Sequence, residues 1–545
     1  MEKTAWVRAD ECICHVGNND RCSLLPQEPI MDTHVTPATP YPWGRLWFFG
    51  TAFTTGAVVM ALEILGSRLL APVFGTSLFV WGALIGVVLA AMSSGYSTGG
   101  WLADRRAPGV VLPCLLLGSG AWTLLLAGVG QSIVFTVSQW TTDPRWGPCL
   151  AASVLLAVPA FGLSGVLPVL LRLAIADMGH LGRHTGAMIA VSTIGSLVGT
   201  WGTSFFLLTW LGSLTLVAVL GVVLVLLGLG WLWWSSRVRG MVLVPLVGVL
   251  GGLIWLGFHP ILIYPPAIHQ EDSPYQQVRV RDEKGLRFLV LDNTFHAIMW
   301  QPDPVRLALP YSQMMMAALA LPPQPQRGLI LGQGGGSIAK WLERHWPELE
   351  LDVVEMDPSV VEAAERFFEY DAPSNHHVYV RDARVFLARQ ATQYDIIWVD
   401  VFARHQIPFH LTTTEFFAEL RAHLSAEGVV AVNLAASDSD LDRIRAEAVV
   451  STMKTSFPHV ETYGIPAPSW LRTKPGSVNL IFFAGTRPLH MDSDEFALAT
   501  MILLNQGKMP PEVLLFLNSA KAPDWNPGLI LTDDFSPFDI LQGSG

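Results

Sequence analysis

Charged residues are scarce in this chain of 545 residues: they make up 14% of it, whereas 51% of the residues are hydrophobic. Soluble proteins carry about a quarter charged residues, so the composition excludes an ordinary, entirely soluble chain. The scarcity is concentrated in residues 46–264, while residues 265–545 have the usual mixture of polar and apolar side chains. The sequence therefore predicts an apolar half followed by a globular half.

Basic residues are also few, because 34 Lys and Arg stand against 45 Asp and Glu, which gives a net charge of −11. Proteins that bind nucleic acid present a basic face to the phosphates, so we expect no nucleic-acid partner. Cysteine is absent after Cys149, and the fold of the globular half therefore needs no disulfide. The spacing of Cys12, Cys14 and Cys22 matches no zinc pattern, so we expect no metal.

Long apolar runs fill the first half of the chain. About seven of them are long enough to cross roughly 30 Å of hydrocarbon as helices. They lie near residues 46–66, 78–101, 110–132, 148–173, 185–209, 212–234 and 240–263. We predict a disordered tail over residues 1–44 and a multi-pass transmembrane helical domain over residues 45–266, with the lipid bilayer of the inner membrane as its partner.

A glycine-rich turn follows an apolar strand in the globular half. The turn spans residues 332–337, and the next strand ends in Glu355. Glycines let a ligand approach the backbone closely, and an acid about twenty residues further on can accept both hydroxyls of a ribose. The pattern predicts a nucleoside pocket in which Gly332, Gly334, Gly335 and Glu355 bind the cofactor.

Strands and helices alternate over residues 326–545, which predicts a mostly parallel sheet covered on both faces. Two further acids follow strands, since Asp382 comes after the third strand and Asp400 closes the fourth. Ligands bind beyond the carboxyl ends of such strands, so we expect Asp382 to contact an adenine amine and Asp400 to face the reacting group. The alternative for any single acid here is a helix cap. Short alternating strands predict a small β subdomain over residues 267–325.

These motifs resemble the spermidine synthase (polyamine aminopropyltransferase) family, and most closely its membrane-fused bacterial members, over roughly residues 273–539. The resemblance implies an α/β class I methyltransferase-like, Rossmann-like domain with a small N-terminal β-hairpin subdomain, fused to a helical membrane domain. It also implies that Gln276 contacts the nucleoside and that Tyr311 lies in the substrate pocket. Self-association into a homo-oligomer is expected by family analogy alone.

The implied reaction transfers an aminopropyl group from decarboxylated S-adenosylmethionine to an amine such as putrescine. The sulfonium is already electrophilic, so the protein mainly aligns the reactants, and Asp400 accepts the proton of the amine. Two departures stand out. Gly335 replaces the family's acid for the cationic end of the donor, and Ala403 replaces its second acid near the amine. Unless Asp533, Asp534 or Glu415 substitutes for these acids in substrate binding, we expect putrescine to be a poor substrate.

Two other functions fit the same residues. One is a methyltransferase-like enzyme that uses S-adenosylmethionine itself. The other is a non-catalytic nucleoside-binding domain that regulates a transporter-like bundle, in which the intramembrane carboxylate Glu63 would be essential for flux. The alternative for Glu63 is a structural pair with Arg68, one helical turn away.

The arginines that flank the spans predict an orientation. Only Arg68 and Arg145 lie at the end of the bundle away from the N-terminus. Seven others share the N-terminal side: Arg45, Arg105, Arg106, Arg172, Arg183, Arg237 and Arg239. The positive-inside rule puts that side in the cytoplasm, and seven spans would then leave the globular half outside. We nevertheless expect a cytoplasmic globular half, reached through an eighth or re-entrant segment near residues 240–266, because a nucleoside must be supplied to it.

Overall fold

The computed structural model describes most of the chain. The described residues are 42–75, 78–141, 145–174, 181–234, 240–260, 267–292, 294–401, 408–437, 439–468, 470–471, 477–520 and 525–535. Trp47–Gly545 forms one compact unit. Residues 1–41 of the predicted tail lie outside the described residues, as does Ala403.

The apolar half is helical. The helices are α1 (Pro42–Phe74), α2 (Leu78–Arg105), α3 (Pro108–Trp140), α4 (Trp146–Ala174), α5 (Leu181–Gly202), α6 (Leu208–Leu211), α7 (Ser213–Trp234) and α8 (Gly240–Phe258). A π-helical turn, Thr203–Leu207, joins α5 to α6. Six helices in the described part of the chain, α1 to α5 and α7, are long and apolar enough to cross a membrane. The seventh predicted run falls on α8, which counts only as a shorter apolar helix, Gly248–Phe258.

Small residues let these helices pack closely. A Cβ atom on Gly99 would lie 2.5 Å from the carbonyl oxygen of Gly165, and one on Gly95 would lie 2.0 Å from Ser164 Oγ. Helices α2 and α4 are therefore in backbone contact and run in the same direction, as small-residue packing in membrane bundles allows. Both end on one side of the bundle, where Arg172 forms an exposed ion pair with Asp104.

The α/β half is hydrogen-bonded to the other end of the bundle. The backbone N–H of Ser213, at the start of α7, donates to Asp272 Oδ2 over 2.6 Å. Arg68, near the end of α1, donates to the carbonyl oxygen of Pro274. Among the described ion pairs none joins Arg68 to Glu63, so the expected structural pair between them is not formed.

Contacts between α1 and α4 identify this end as the one away from Arg172. A Cβ on Gly147, at the start of α4, would lie 2.6 Å from Phe74 at the end of α1. Helix α4 therefore starts where α1 ends and runs from there to Arg172. The α/β half therefore lies at the end of the bundle opposite to Arg105, Arg106 and Arg172.

The first five strands form an antiparallel sheet in the order β1-β2-β3-β4-β5. They are β1 (His269–Asp272), β2 (Gln277–Glu283), β3 (Leu286–Leu291), β4 (Thr294–Trp300) and β5 (Asp303–Leu307). The predicted hairpin between β2 and β3 is confirmed, because Glu283 pairs with Leu286 across a two-residue loop with positive φ at Lys284 and Gly285. The connecting helix α9 (Pro310–Met315) continues as a 3₁₀ helix, Met316–Ala320.

The second sheet has seven strands in the order β11-β12-β10-β9-β6-β7-β8. Its strands are β6 (Arg327–Leu331), β7 (Glu350–Glu355), β8 (His376–Val380), β9 (Tyr394–Val399), β10 (Leu424–Ala436), β11 (His459–Pro466) and β12 (Val478–Gly485). Strands β6 to β10 pair in parallel, and β12 is antiparallel to both β10 and β11. This is the Rossmann-like, class I methyltransferase-like arrangement that the sequence predicted.

Helices cover both faces of this sheet. They are α10 (Ser337–His345), α11 (Pro358–Phe367), α12 (Ala383–Leu387), α13 (Thr414–Ala422), α14 (Asp440–Met453), α15 (Asp494–Asn505) and α16 (Glu512–Ser519). Alternate residues of a strand enter different cores, since Ile330 and Trp398 pack on one face and Leu331 and Val399 on the other. Apolar side chains on both faces explain why these strands are continuous apolar runs.

Candidate active site

A cavity of about 800 Å³ lies at the edge of the sheet where β6, β7 and β9 end. It is lined by all the predicted cofactor-binding and catalytic residues and by the predicted pocket tyrosine: Gln276, Tyr311, Gly332, Gly334, Gly335, Glu355, Asp382 and Asp400. The fold thus brings together groups from the small β subdomain, the connecting helix and four strand ends. This is the carboxyl edge at which parallel sheets bind ligands.

The strand order arranges these groups along the cavity. Asp382 follows β8, Glu355 ends β7, the glycine turn follows β6 and Asp400 follows β9. Asn433 lies near the end of β10, one strand further on. We name the part around the glycine turn, Glu355 and Asp382 the turn end, and the part around Asp400 and Asn433 the β10 end.

The glycine turn requires glycine for two physical reasons. Gly332 and Gly336 have φ of 93° and 68°, which L side chains rarely adopt. A Cβ on Gly332 would also lie 2.3 Å from the carbonyl oxygen of Asp400. The turn is therefore packed directly against the chain that leaves β9, and it connects the two ends of the cavity.

Glu355 holds the turn in place. One carboxylate oxygen accepts the backbone N–H groups of Gln333 and Gly334 over 3.1 and 3.4 Å, and the other accepts those of Met356 and Asp357 over 2.8 and 3.1 Å. Burial raises the pKa of this carboxyl group, and the amides that bind the charged form oppose that rise. A ribose diol at Glu355 would share the carboxylate with these amides.

Asp382 acts as a helix cap and also lines the cavity. Its Oδ1 accepts the backbone N–H groups of Arg384 and Val385 over 2.9 and 3.1 Å, which caps α12. Its Oδ2 lies 3.5 Å from His410 Nε2. The helix cap and the contact with His410 thus use different oxygens of the Asp382 carboxyl group.

Asp400 is held from two sides. Tyr311 donates its hydroxyl to Oδ2 over 3.1 Å, and the side-chain amide of Asn433 donates to Oδ1 over 2.8 Å. Burial raises the pKa of Asp400 to about 6, and the hydrogen bonds from Asn433 and Tyr311 limit that rise. At neutral pH the carboxylate is therefore mostly ionised, which is the state in which it can accept a proton.

Sequence reasoning missed Asn433 and its partner. Asn433 is 1% exposed, and its side-chain oxygen accepts the amide of Asn479 on β12 over 2.9 Å. Buried amides without partners are costly, so this chain of hydrogen bonds fixes the direction in which Asn433 donates. The signal was present in the sequence, because Asn433 is the only polar residue in the apolar run of residues 429–436.

Gln276 lines the cavity from the segment that precedes β2. Its side-chain amide donates to Asp357 Oδ2 over 3.3 Å, and the hydroxyl of Ser273 donates to the same oxygen over 2.6 Å. Asp357 is fully buried and caps α11 through the N–H of Ser359. The buried carboxylate therefore fixes the segment that carries Gln276 to the end of β7.

Asp533 and Asp534 are not among the described residues that line the cavity. Asp533 instead pairs with Arg384 over 2.7 Å and accepts the hydroxyl of Thr413 over 2.7 Å. The guanidinium group of Arg384 lowers the pKa of Asp533, as expected of a carboxylate in an ion pair. The geometry thus gives no support to the idea that these acids replace the missing ones.

A further acid, Asp442, lines the β10 end of the cavity. Its Oδ2 accepts the hydroxyl of Ser437 over 2.5 Å, and its Oδ1 pairs with the buried Arg445 over 2.9 Å. Asp442 and Arg445 both line the cavity. Because the pair is close to neutral in sum, it offers a cationic amine less attraction than a lone carboxylate would.

The fold is of the class I methyltransferase-like type, and the cavity lies at the carboxyl edge of its sheet. Residues 309–479 match the model of the spermine/spermidine synthase domain. The polyamine aminopropyltransferase of Vibrio vulnificus is 31% identical over 284 residues, which cover 50% of this chain and 91% of that relative. The chain therefore belongs to the spermine/spermidine synthase family, which is a family of transferases.

The chain is also similar to two further proteins. A probable polyamine aminopropyl transferase of Bifidobacterium longum is 33% identical over 172 residues, which cover 31% of this chain and 38% of that protein. The structure of a probable spermidine synthase from Corynebacterium glutamicum matches with 20% identity and a TM-score of 0.38, over 48% of this chain and 96% of that one.

Proposed function

We propose that this protein is a membrane-anchored aminopropyltransferase that uses decarboxylated S-adenosylmethionine as donor and a small amine as acceptor. The observation that carries the proposal is Asp400, which lies between Tyr311 and Asn433 at the junction of the glycine turn and the β10 end. A nucleoside bound along the turn would present its reacting atoms to this carboxylate. Residues 45–266 would anchor the enzyme in the bilayer.

The proposed reaction needs alignment and one proton acceptor. The amine nitrogen attacks the propyl carbon attached to the sulfonium, the carbon–sulfur bond breaks, and its electron pair stays on sulfur in methylthioadenosine. The new C–N bond leaves a positive charge on nitrogen, and Asp400 accepts the released proton. Glu355 and Asp382 would bind the ribose hydroxyls and the adenine amine.

The charges of the cavity support a cationic donor and acceptor. Five carboxylates line it, those of Asp292, Glu355, Asp382, Asp400 and Asp442, against two guanidinium groups, those of Arg381 and Arg445, and Arg445 is paired with Asp442. With Glu355 and Asp382 occupied by the nucleoside, a short diamine near the β10 end would meet Asp400 as an acid without a cationic partner. We therefore propose an acceptor with a single reactive amine, and putrescine as a poor substrate.

The orientation in the membrane is part of the proposal. The α/β half is tied to the end of the bundle at which α1 ends, whereas Arg105, Arg106 and Arg172 lie at the other end. The positive-inside rule assigns the cytoplasm to the arginine-rich end, and it favours the α/β half on the other side, against the side expected from nucleoside supply. Alkaline phosphatase fused after Gly545 would be active if the α/β half lies outside the cytoplasm. A fluorescent protein fused at the same position would be bright if it lies in the cytoplasm, and that result would restore the expected side.

The direct test of the function is product analysis with the full chain in nanodiscs. Decarboxylated S-adenosylmethionine is incubated with a panel of amines, and mass spectrometry measures methylthioadenosine and the aminopropylated amine. The proposal predicts that the two products form in equal amounts. Methyl transfer from S-adenosylmethionine would instead support the methyltransferase-like alternative. Nucleoside binding without any turnover across the panel would support a non-catalytic domain.

A further inference from the structure

Gln333 is the one residue with a side chain among residues 332–336 of the glycine turn, and Ser337 follows at the start of α10. Residues 332–336 read Gly-Gln-Gly-Gly-Gly, so the other positions among them offer only backbone. Gln333 lines the cavity and is 7% exposed. Among the described residues neither its Oε1 nor its Nε2 has a hydrogen-bond partner, although both atoms are buried.

A buried amide without partners is rare and costly in a native fold. Both atoms of the Gln333 amide lack a partner, and Gln333 is one of the residues that line the cavity. A leucine of similar size would fill the same space without that cost. The open amide therefore indicates that a polar group of the ligand completes its hydrogen bonds.

The position of Gln333 in the turn indicates which part of the ligand lies next to it. Its own backbone N–H donates to Glu355, at the turn end, and the neighbouring Gly332 packs against the backbone of Asp400. A donor whose ribose is held at Glu355 and whose reacting carbon faces Asp400 would lie along the part of the turn that carries Gln333. The group that meets the amide therefore belongs to the chain on the sulfonium.

The turn cannot easily carry an acid for that group. A Cβ on Gly335 would lie 2.9 Å from Ala297 Cβ and 3.0 Å from Phe368 Cδ1. Any larger side chain there must displace these neighbours. Among residues 332–336, the amide of Gln333 is thus the polar side chain that is available in place of a carboxylate.

We propose that Gln333 is a specificity-determining residue that binds the terminal ammonium group of the donor's aminopropyl chain through Oε1. The inference rests on the proposed function. An amide is neutral, so it attracts the ammonium without repelling a carboxylate, and its Nε2 donates to one. The protein therefore discriminates only weakly between decarboxylated and intact S-adenosylmethionine.

The test is calorimetric titration of the full chain in nanodiscs with three ligands. Decarboxylated S-adenosylmethionine and S-adenosylmethionine carry the chain, whereas methylthioadenosine has the nucleoside without it. In Gln333→Leu the affinity for the decarboxylated donor falls about tenfold to a hundredfold, and that for methylthioadenosine stays within about twofold. In Gln333→Glu the added charge favours the decarboxylated donor and disfavours the intact one.

Three outcomes would overturn the inference. Equal losses for all three ligands in Gln333→Leu would assign the side chain to the nucleoside or to the fold, and unchanged affinities in both variants would leave it without a ligand role. If Gln333→Leu does not fold, an unchanged preference between the two donors in Gln333→Glu contradicts the inference. A wild-type chain that binds none of the ligands would contradict the proposed function itself. The failure of the proposed function can thus be told apart from the failure of the inference about Gln333.

Discussion

The two ends of the cavity are built differently. At the turn end the carboxylates of Glu355 and Asp382 are held by backbone N–H groups of the residues that follow their own strands or the glycine turn. At the β10 end side chains hold one another, as in the contacts of Asp400 with Tyr311 and Asn433. Backbone donors remain when the side chains around them change, whereas each contact at the β10 end is lost with either of its two side chains.

Loss of the proton acceptor is expected to have the largest effect. In Asp400→Asn the amide cannot accept the proton of the amine, so kcat falls by about 10²- to 10⁴-fold. Donor affinity changes little, because the nucleoside contacts lie at the turn end. The rate at which methylthioadenosine is released in a single turnover measures this loss of activity. The matched control Glu365→Gln, at an exposed position of α11, keeps the wild-type rate, and an Asp400→Asn enzyme as fast as this control would exclude Asp400 as the acceptor.

The pH dependence tests the hydrogen bonds at the β10 end. Asp400 works as a base only when ionised, so kcat/KM falls as the pH drops through its pKa of about 6. Asn433→Ala removes a hydrogen bond to the charged form, and the acid limb of the profile therefore moves to higher pH. Burial raises the pKa of Tyr311 well above its ordinary value, so its hydroxyl remains a donor throughout. A profile that does not move in the variant would contradict this account of Asp400.

The smallest effect is expected at Asp533. Its carboxylate pairs with Arg384 outside the cavity, so Asp533→Asn leaves the KM for the amine unchanged. Exposed ion pairs contribute about 0 to 1 kcal/mol, and Tm therefore falls by only a few degrees. Steady-state kinetics and thermal unfolding of the same preparation check both points. A large rise in the KM for the amine would return Asp533 to the substrate site.

The turn end was predictable from the sequence because its signals are local. Gly332 needs a backbone conformation that favours glycine, and Glu355 and Asp382 follow apolar strands at the spacing of a parallel sheet. Asn433 and Asn479 were missed, since their meeting depends on the order of β10 and β12 in the sheet. Asp442 and Arg445 are neighbours within α14, and they were missed because their place in the cavity depends on where that helix packs. Strand β11 was missed as well, because its sequence HVETYGIP mixes glycine and polar residues in a way that favours a loop.

The side of the bundle that carries the α/β half also required the structure. Hydropathy gives the lengths of the spans, but the contacts of Ser213 and Arg68 with residues 272–274 show which end they face. Ion pairs such as Arg384–Asp533 join residues far apart in sequence, so local motifs assigned the acid of that pair to the substrate.

The most direct test of the account compares two variants in one titration. Decarboxylated S-adenosylmethionine is titrated calorimetrically into the full chain in nanodiscs, as wild type, Glu355→Ala and Asp400→Asn. The account predicts that Glu355→Ala loses affinity by at least about tenfold, because the turn loses its anchor and the ribose its acid, while Asp400→Asn binds as wild type does. Equal affinities in Glu355→Ala and wild type, or equal losses in both variants, would contradict the separation of the cavity into a nucleoside end and a reaction end.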